Sequence, residues 1–113
     1  MDDLAGASLL GSARRTEILQ AIALLDETYA RELARLLGAP LLSVQRIVDA
    51  LERDGVVVTR LVGVERRVTF NPRFYAVNEL KALLLRLSDR NERLGEAVYG
   101  LRRRPRRKGK ALP

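Results

Sequence analysis

YARELARLLGAPLLSVQRIVDALERDGVV, residues Tyr29 to Val57, reads as a short helix, a tight turn at Gly38-Ala39-Pro40, and a longer helix stopped by Gly55. Leu33, Leu36 and Leu37 give the first helix an apolar face, while Arg31, Glu32 and Arg35 stay in water. Gly38 suits the left-handed position just past a helix end. Pro40 falls where a helix tolerates proline, in a first turn whose amides have no partner. Val44, Ile47, Val48 and Leu51 then set an inward stripe on a helix spanning about 40–54. Ser43, Gln45, Arg46, Asp49 and Arg53 fall on its outer face or edges.

Working outward, Ser12 suits an N-cap, and Ile18, Leu19, Ile22 and Leu25 recur at helical steps, predicting a helix over 13–25. Asp26-Glu27-Thr28 breaks it, and Thr28 is placed to cap the next helix. Downstream, Val56 to Val62 is β-branched and too short for another helix. Gly63 marks a turn, Arg66 to Phe70 returns as a partner strand, and Asn71-Pro72 ends it. Two helices joined by a tight turn and followed by a hairpin form a helix-turn-helix with a wing. The expected fold class is mainly α with a small β-hairpin.

A last helix is predicted to start between Tyr75 and Asn78. Val77, Leu80, Leu84, Leu87, Asn91, Leu94, Val98 and Leu101 keep three- and four-residue steps, a heptad seam with one polar member. A lone Asn in such a seam fixes register in two-stranded coils, so Leu80, Leu84, Leu87, Asn91, Leu94 and Val98 are the expected dimerisation residues. Gly95 and Gly100 weaken the helix towards its end. The division of the chain is then a flexible lead over 1–11, a winged helix-turn-helix over 12–74, a dimerisation helix over 75–101, and a disordered tail over 102–113.

Composition narrows the chemistry. The 113 residues suffice for one domain with a modest core, which three Tyr and two Phe leave mostly aliphatic. Cysteine and histidine are absent, which closes disulfide, thiolate and imidazole chemistry and any His- or Cys-ligated metal site. No cofactor or metal is expected, and the scattered carboxylates give no reason to expect an enzyme. No apolar run is long enough for a membrane span, and the acidic start Met1-Asp2-Asp3 is unlike a secretory signal, so a cytoplasmic, nucleoid-associated protein is expected.

The net charge of +7 is unevenly placed. Residues 1–101 carry 14 basic and 14 acidic side chains, a net of zero. The excess lies in Arg102, Arg103, Arg104, Arg106, Arg107, Lys108 and Lys110. That asymmetry points to a polyanionic partner, double-stranded DNA ahead of an acidic membrane surface because no apolar anchor accompanies the cluster. A helix of about 14 residues spans roughly 20 Å and can cross a major groove. Arg46 can donate twice to a guanine edge, Gln45 can pair with adenine, Ser43 suits a base or a phosphate, and Leu42 can meet a thymine methyl. Asp49 shares their face. Arg60, Arg66 and Arg67 near the hairpin tip suit phosphate or minor-groove contact. Alternation puts Arg66 with Val68 and Phe70 and puts Arg67 on the other face, so only one of the two arginines should face a duplex.

Three segments carry a resemblance: LLGSARRTEILQAI, the reading unit above, and VERRVTFNPRFYAVNELKALLLRL, together covering about residues 9–88. The chain resembles bacterial and archaeal winged helix-turn-helix transcriptional regulators of the ArsR-like group. That resemblance implies base reading by the outer face of 40–54, backbone or minor-groove contact by the hairpin, and dimers through terminal helices. It also implies repression by occupancy. Pro40 and Leu42 stand where such proteins often carry small hydroxyl residues, and the Cys and His ligands of the metal-sensing members are absent. The expected function is a homodimeric, sequence-specific DNA-binding regulator. A winged helix used for protein assembly, or a nucleoid-type binder driven by the tail, are the alternatives.

Overall fold

The structure, a computed structural model, describes residues 5–103. Its first helix, α1, is Ala13–Leu25, and Ser12 caps it, its hydroxyl accepting from the Arg15 amide at 3.0 Å. Asp26 ends it with φ of 69°, a conformation unusual outside glycine. Ile18, Leu19, Ala21 and Ile22 are buried, which makes α1 the central element of the helical layer.

Thr28–Tyr29 forms a two-residue strand, β1, that the sequence pattern does not announce. The expected cap at Thr28 is therefore corrected. Tyr29 occupies the N-cap of α2 (Ala30–Leu37) without a side-chain bond, and the buried Thr28 hydroxyl donates to Glu32 Oε1 at 2.7 Å. Gly38 adopts the left-handed conformation, φ 63° and ψ 38°, and the Ala39 amide reaches back to the Ala34 carbonyl at 2.9 Å. Pro40 is itself the N-cap of α3 (Leu41–Arg53), its carbonyl accepting from the Val44 amide. Val44, Val48 and Leu51 are buried and Ile47 half-buried, the stripe read from the sequence.

Strands β2 (Val57–Val62) and β3 (Glu65–Phe70) pair antiparallel across a two-residue loop, Gly63-Val64. β3 also pairs with β1, so the expected hairpin is part of a three-stranded sheet ordered β1-β3-β2. Val57, Val68 and Phe70 turn into the core. Asn71 ties the sheet to the end of α3: its amide donates to the Val56 carbonyl and its Nδ2 to the Gly55 carbonyl, each at 2.9 Å. The architecture is mainly helical with a small antiparallel sheet.

The expected single helix over 75–101 is two helices, α4 (Val77–Ser88) and α5 (Glu92–Arg103). The chain turns at Asp89-Arg90-Asn91, and the Asn91 Oδ1 accepts from the Leu94 amide at 3.1 Å as a helix N-cap does. Asn91 Nδ2 donates to Glu17 Oε2 at 2.9 Å and Gln20 Oε1 at 3.1 Å on α1. Leu84 and Leu94 are fully buried, Val98 nearly so, and Leu80 and Leu87 half-buried, all within the chain itself. The six residues assigned to a dimer seam therefore form no continuous exposed stripe. The reason is that α4 and α5 each bury one stripe against α1. The expected loose lead is also corrected in part. Residues 5–11 form turns, with the Leu10 amide bonded to Thr16 Oγ1 at 3.2 Å and Leu10 packed on the core. Residues 1–4 lie outside the described residues.

Replacing Asn91 by Ala removes the cap and both bridges to α1. Urea unfolding should show a drop in stability of about 1–2 kcal/mol, the usual size for removal of an N-cap. Sedimentation should show no change of oligomeric state, because Asn91 is engaged within its own chain. A change of mass would reinstate the seam.

Candidate nucleic-acid interface

The stripe that buries α3 leaves its opposite side in water. Leu42, Gln45, Arg46, Asp49, Glu52 and Arg53 are exposed, while Ser43 is half-buried on the flank. The two leucines of the first turn separate. Leu41 is half-buried and lines a recess with Tyr29 and Val64, whereas Leu42 is 57% exposed.

The hairpin closes one side of this face. Arg66, in register with Leu61, shares its side of the sheet with Val68 and Phe70. That is the side α3 covers, so Arg66 arrives at the helix's outer edge and lines an open cleft of about 270 Å³ with Leu42, Gln45, Arg46 and Asp49. A neighbouring recess of about 190 Å³ shares Gln45 and Arg66 and extends to Leu41 and Val64 at the hairpin tip. A short chain of bonds holds Arg66 there: its Nη1 donates to Thr59 Oγ1 at 3.3 Å, and that hydroxyl donates to Glu52 Oε2 of α3 at 2.8 Å.

The other two hairpin arginines are engaged on the far side of the sheet. Arg60 lies 3.5 Å from Glu27 Oε2. Arg67 stacks over the Tyr29 ring at 5.1 Å and meets Glu65 Oε1 at 3.0 Å. Its Nε, shut off from solvent, has Glu27 Oε2 only at 3.9 Å, too long for a hydrogen bond. Arg60 and Arg67 are cross-strand partners, so one carboxylate, Glu27, sits between two like charges. The sequence reading missed Glu27 and Tyr29 because both act through β1.

Of the candidate tail residues, Arg102 and Arg103 belong to the last turn of α5 rather than to a disordered tail. Arg102 donates to the Leu24 carbonyl, and Arg103 bonds the Tyr99 hydroxyl at 3.1 Å and stacks over its ring. Arg104, Arg106, Arg107 and Lys108 lie outside the described residues. Among the described residues no group of three or more acidic, His or Cys side chains could hold a metal ion, and no helix is long and apolar enough to cross a membrane.

The face so built can donate and accept hydrogen bonds, present one alkyl group, and bring a guanidinium from a second element to the same cleft. No family model, no curated protein and no solved structure matches the chain.

The two neighbouring arginines should separate in a stability measurement. Arg67→Ala removes a stacked cation and its ion pairs and should cost about 1–2 kcal/mol. Arg66→Ala, on an open cleft, should stay within about 0.5 kcal/mol of the parent. Guanidinium unfolding of both variants checks this.

Proposed function

We propose that this chain is a winged helix-turn-helix DNA-binding transcriptional regulator of the ArsR-like kind. It acts at the nucleoid and represses by occupying its site. In this reading α3 enters the major groove and the β2–β3 hairpin is the wing. The observation that carries it is the shared cleft: Gln45, Arg46 and Asp49 on the outer face of α3 stand beside Arg66 of the hairpin, held in place through Thr59 and Glu52. Arg46 reads guanine, Gln45 reads adenine, and Leu42 packs on a thymine methyl. Arg66 takes the phosphate or minor-groove role, while Arg60 and Arg67 remain structural.

Homodimerisation belongs to the same reading, since two copies would present two reading helices to half-sites about 34 Å apart. The exposed Leu83 and Leu85 of α4 and Tyr99 of α5 favour pairing through the outer faces of these helices. The seven basic residues from Arg102 onward supply attraction that is independent of sequence.

A second reading, a winged helix used for protein assembly, is favoured by the exposed Leu42, Leu61 and Val64 around the same face and by the neutral body. Selection of bound fragments from a random duplex library distinguishes the two. The regulator should enrich a short, two-fold symmetric sequence. No enrichment, together with no gel shift at low salt by a chain ending at residue 101, would favour assembly.

Within the regulator reading, Arg46→Ala should cost about 1–3 kcal/mol at a single base position and relax selectivity there. Removing residues 102–113 should weaken all duplexes alike and flatten the salt dependence, by up to about 0.9 in slope for each phosphate no longer neutralised. A changed sequence preference after the truncation would show that these residues take part in reading.

A further inference from the structure

Strand β2 forms one edge of the sheet: in the order β1-β3-β2 it pairs with β3, and among the described residues no strand meets its other side. The hairpin loop has two residues, so the closing pair Val62–Glu65 exchanges both backbone bonds, and such pairs recur at every second residue. The Asn71 amide, bonded to the Val56 carbonyl, continues the same alternation past the strand. Val58, Arg60 and Val62 therefore turn their backbone groups towards β3, while Val57, Thr59 and Leu61 turn theirs outward. A sheet edge of this kind is a template for another strand.

Proteins ordinarily blunt such an edge with proline, a bulge or a charge. β2 has no proline, and its register with β3 runs from Val57–Phe70 to Val62–Glu65 without a bulge. Its one charged residue, Arg60, is drawn away from the edge. The guanidinium lies 3.5 Å from Glu27, which precedes β1 on the opposite side of β3, so the side chain leans across the sheet. What stands at the edge instead is aliphatic. Val58, Leu61 and Val62 are exposed, and so is Val64 in the loop.

We propose that this edge pairs with β2 of a second copy, antiparallel about a two-fold axis through Thr59. An axis normal to the sheet keeps each face continuous, so residues of the same face must oppose each other. With Thr59 opposite Thr59, the outward backbone groups of Val57 meet those of Leu61 in the other copy, and Val58 lies opposite Arg60. Leu61 then gains an apolar neighbour, and no like charges meet. An axis at residue 60 would set Arg60 against Arg60, and one at residue 58 would leave Leu61 beyond the end of the other strand. Because the strand is complementary to itself, its occupant is a second copy rather than a foreign segment. Residues 1–101, with 14 basic and 14 acidic side chains, carry no net charge to hold two bodies apart. The pairing uses neither the outer face of α3 nor those of α4 and α5, so it stands whether or not the chain binds DNA.

Amide hydrogen exchange of the full chain, followed by NMR at about 20 µM and about 1 mM, tests this at concentrations that bracket the dissociation constant of a weak pair. The amides of Thr59 and Leu61 should exchange about threefold or more slowly at the higher concentration. Those of Val58, Arg60 and Val62, already bonded to β3, should be protected equally at both. Leu61→Lys places a charge on the edge and should abolish the concentration dependence. Val58→Lys, which sets a charge opposite Arg60 of the other copy, should do the same. Protection at positions 58, 60 and 62 reports in each variant that the hairpin is folded. Thr59 and Leu61 rates that do not change with concentration overturn the proposal and leave the edge to an extended segment of another protein. Slowing of inward and outward amides alike, or slowing that persists in both folded variants, overturns it as well.

Discussion

Everything on the outer face of α3 depends on how its inner face is buried. Val44, Val48 and Leu51 enter one aliphatic cluster with Ile18 and Ile22 of α1, Leu33 and Leu37 of α2, and Val57 and Val68 of the sheet. Fully burying a side chain of this kind contributes roughly 1.5–3 kcal/mol, so three of them outweigh any hydrogen bond the helix makes at its surface. The ends of α3 are fixed as firmly as its middle. Gly38 and Pro40 set its start, and the Val56 amide closes back on the Leu51 carbonyl at its end. A helix pinned at both ends and along one stripe has no freedom to roll. Gln45, Arg46 and Asp49 are consequently held outward by the burial of their neighbours.

The same economy of means governs the C-terminal half. One side chain, Asn91, caps α5 and crosses to Glu17 and Gln20 of α1. This explains why the heptad spacing misleads there. Two helices that turn at residues 89–91 and each bury a stripe against α1 leave the same three- and four-residue steps in the sequence as one long helix. Periodicity reports which residues are buried; it does not report against what. The cluster Ser88-Asp89-Arg90-Asn91 was the available sign of a turn, since Ser, Asp and Asn favour turns and caps over helix interiors.

Helices α1 to α3 were legible because their stripes are bounded by residues with a single conformational meaning: Ser12, Gly38, Pro40 and Gly55. The hairpin was legible from its β-branched run and Gly63. β1 was not, because two residues carry no period and their pairing with Val68 and Arg67 is non-local. That gap limited the reading of the site as well. Alternation correctly separated Arg66 from Arg67, but the engagement of Arg67 and Arg60 by Glu27 and Tyr29 requires β1 to be known.

Charge then divides the labour on the proposed DNA-binding face. The exposed side of α3 carries Arg46 and Arg53 against Asp49 and Glu52, a balance that gives phosphates no net attraction. Glu52 is occupied by the Thr59 hydroxyl, which also accepts from Arg66, so it serves to place a cation rather than to repel the backbone. Asp49 has no such role on the cleft it shares with Gln45 and Arg46. Within a groove its carboxylate can accept from the amino group of cytosine or adenine, and against guanine or thymine it meets acceptors or a methyl group. A carboxylate that is tolerated by two bases and penalised by the other two contributes discrimination rather than affinity. Long-range attraction must then come from outside α3, and the seven basic residues after Leu101 are the concentrated source of it in the sequence. In the proposed regulator a neutral body would keep the reading helix from adhering to the wrong sequence, while the basic segment would keep the protein near the duplex.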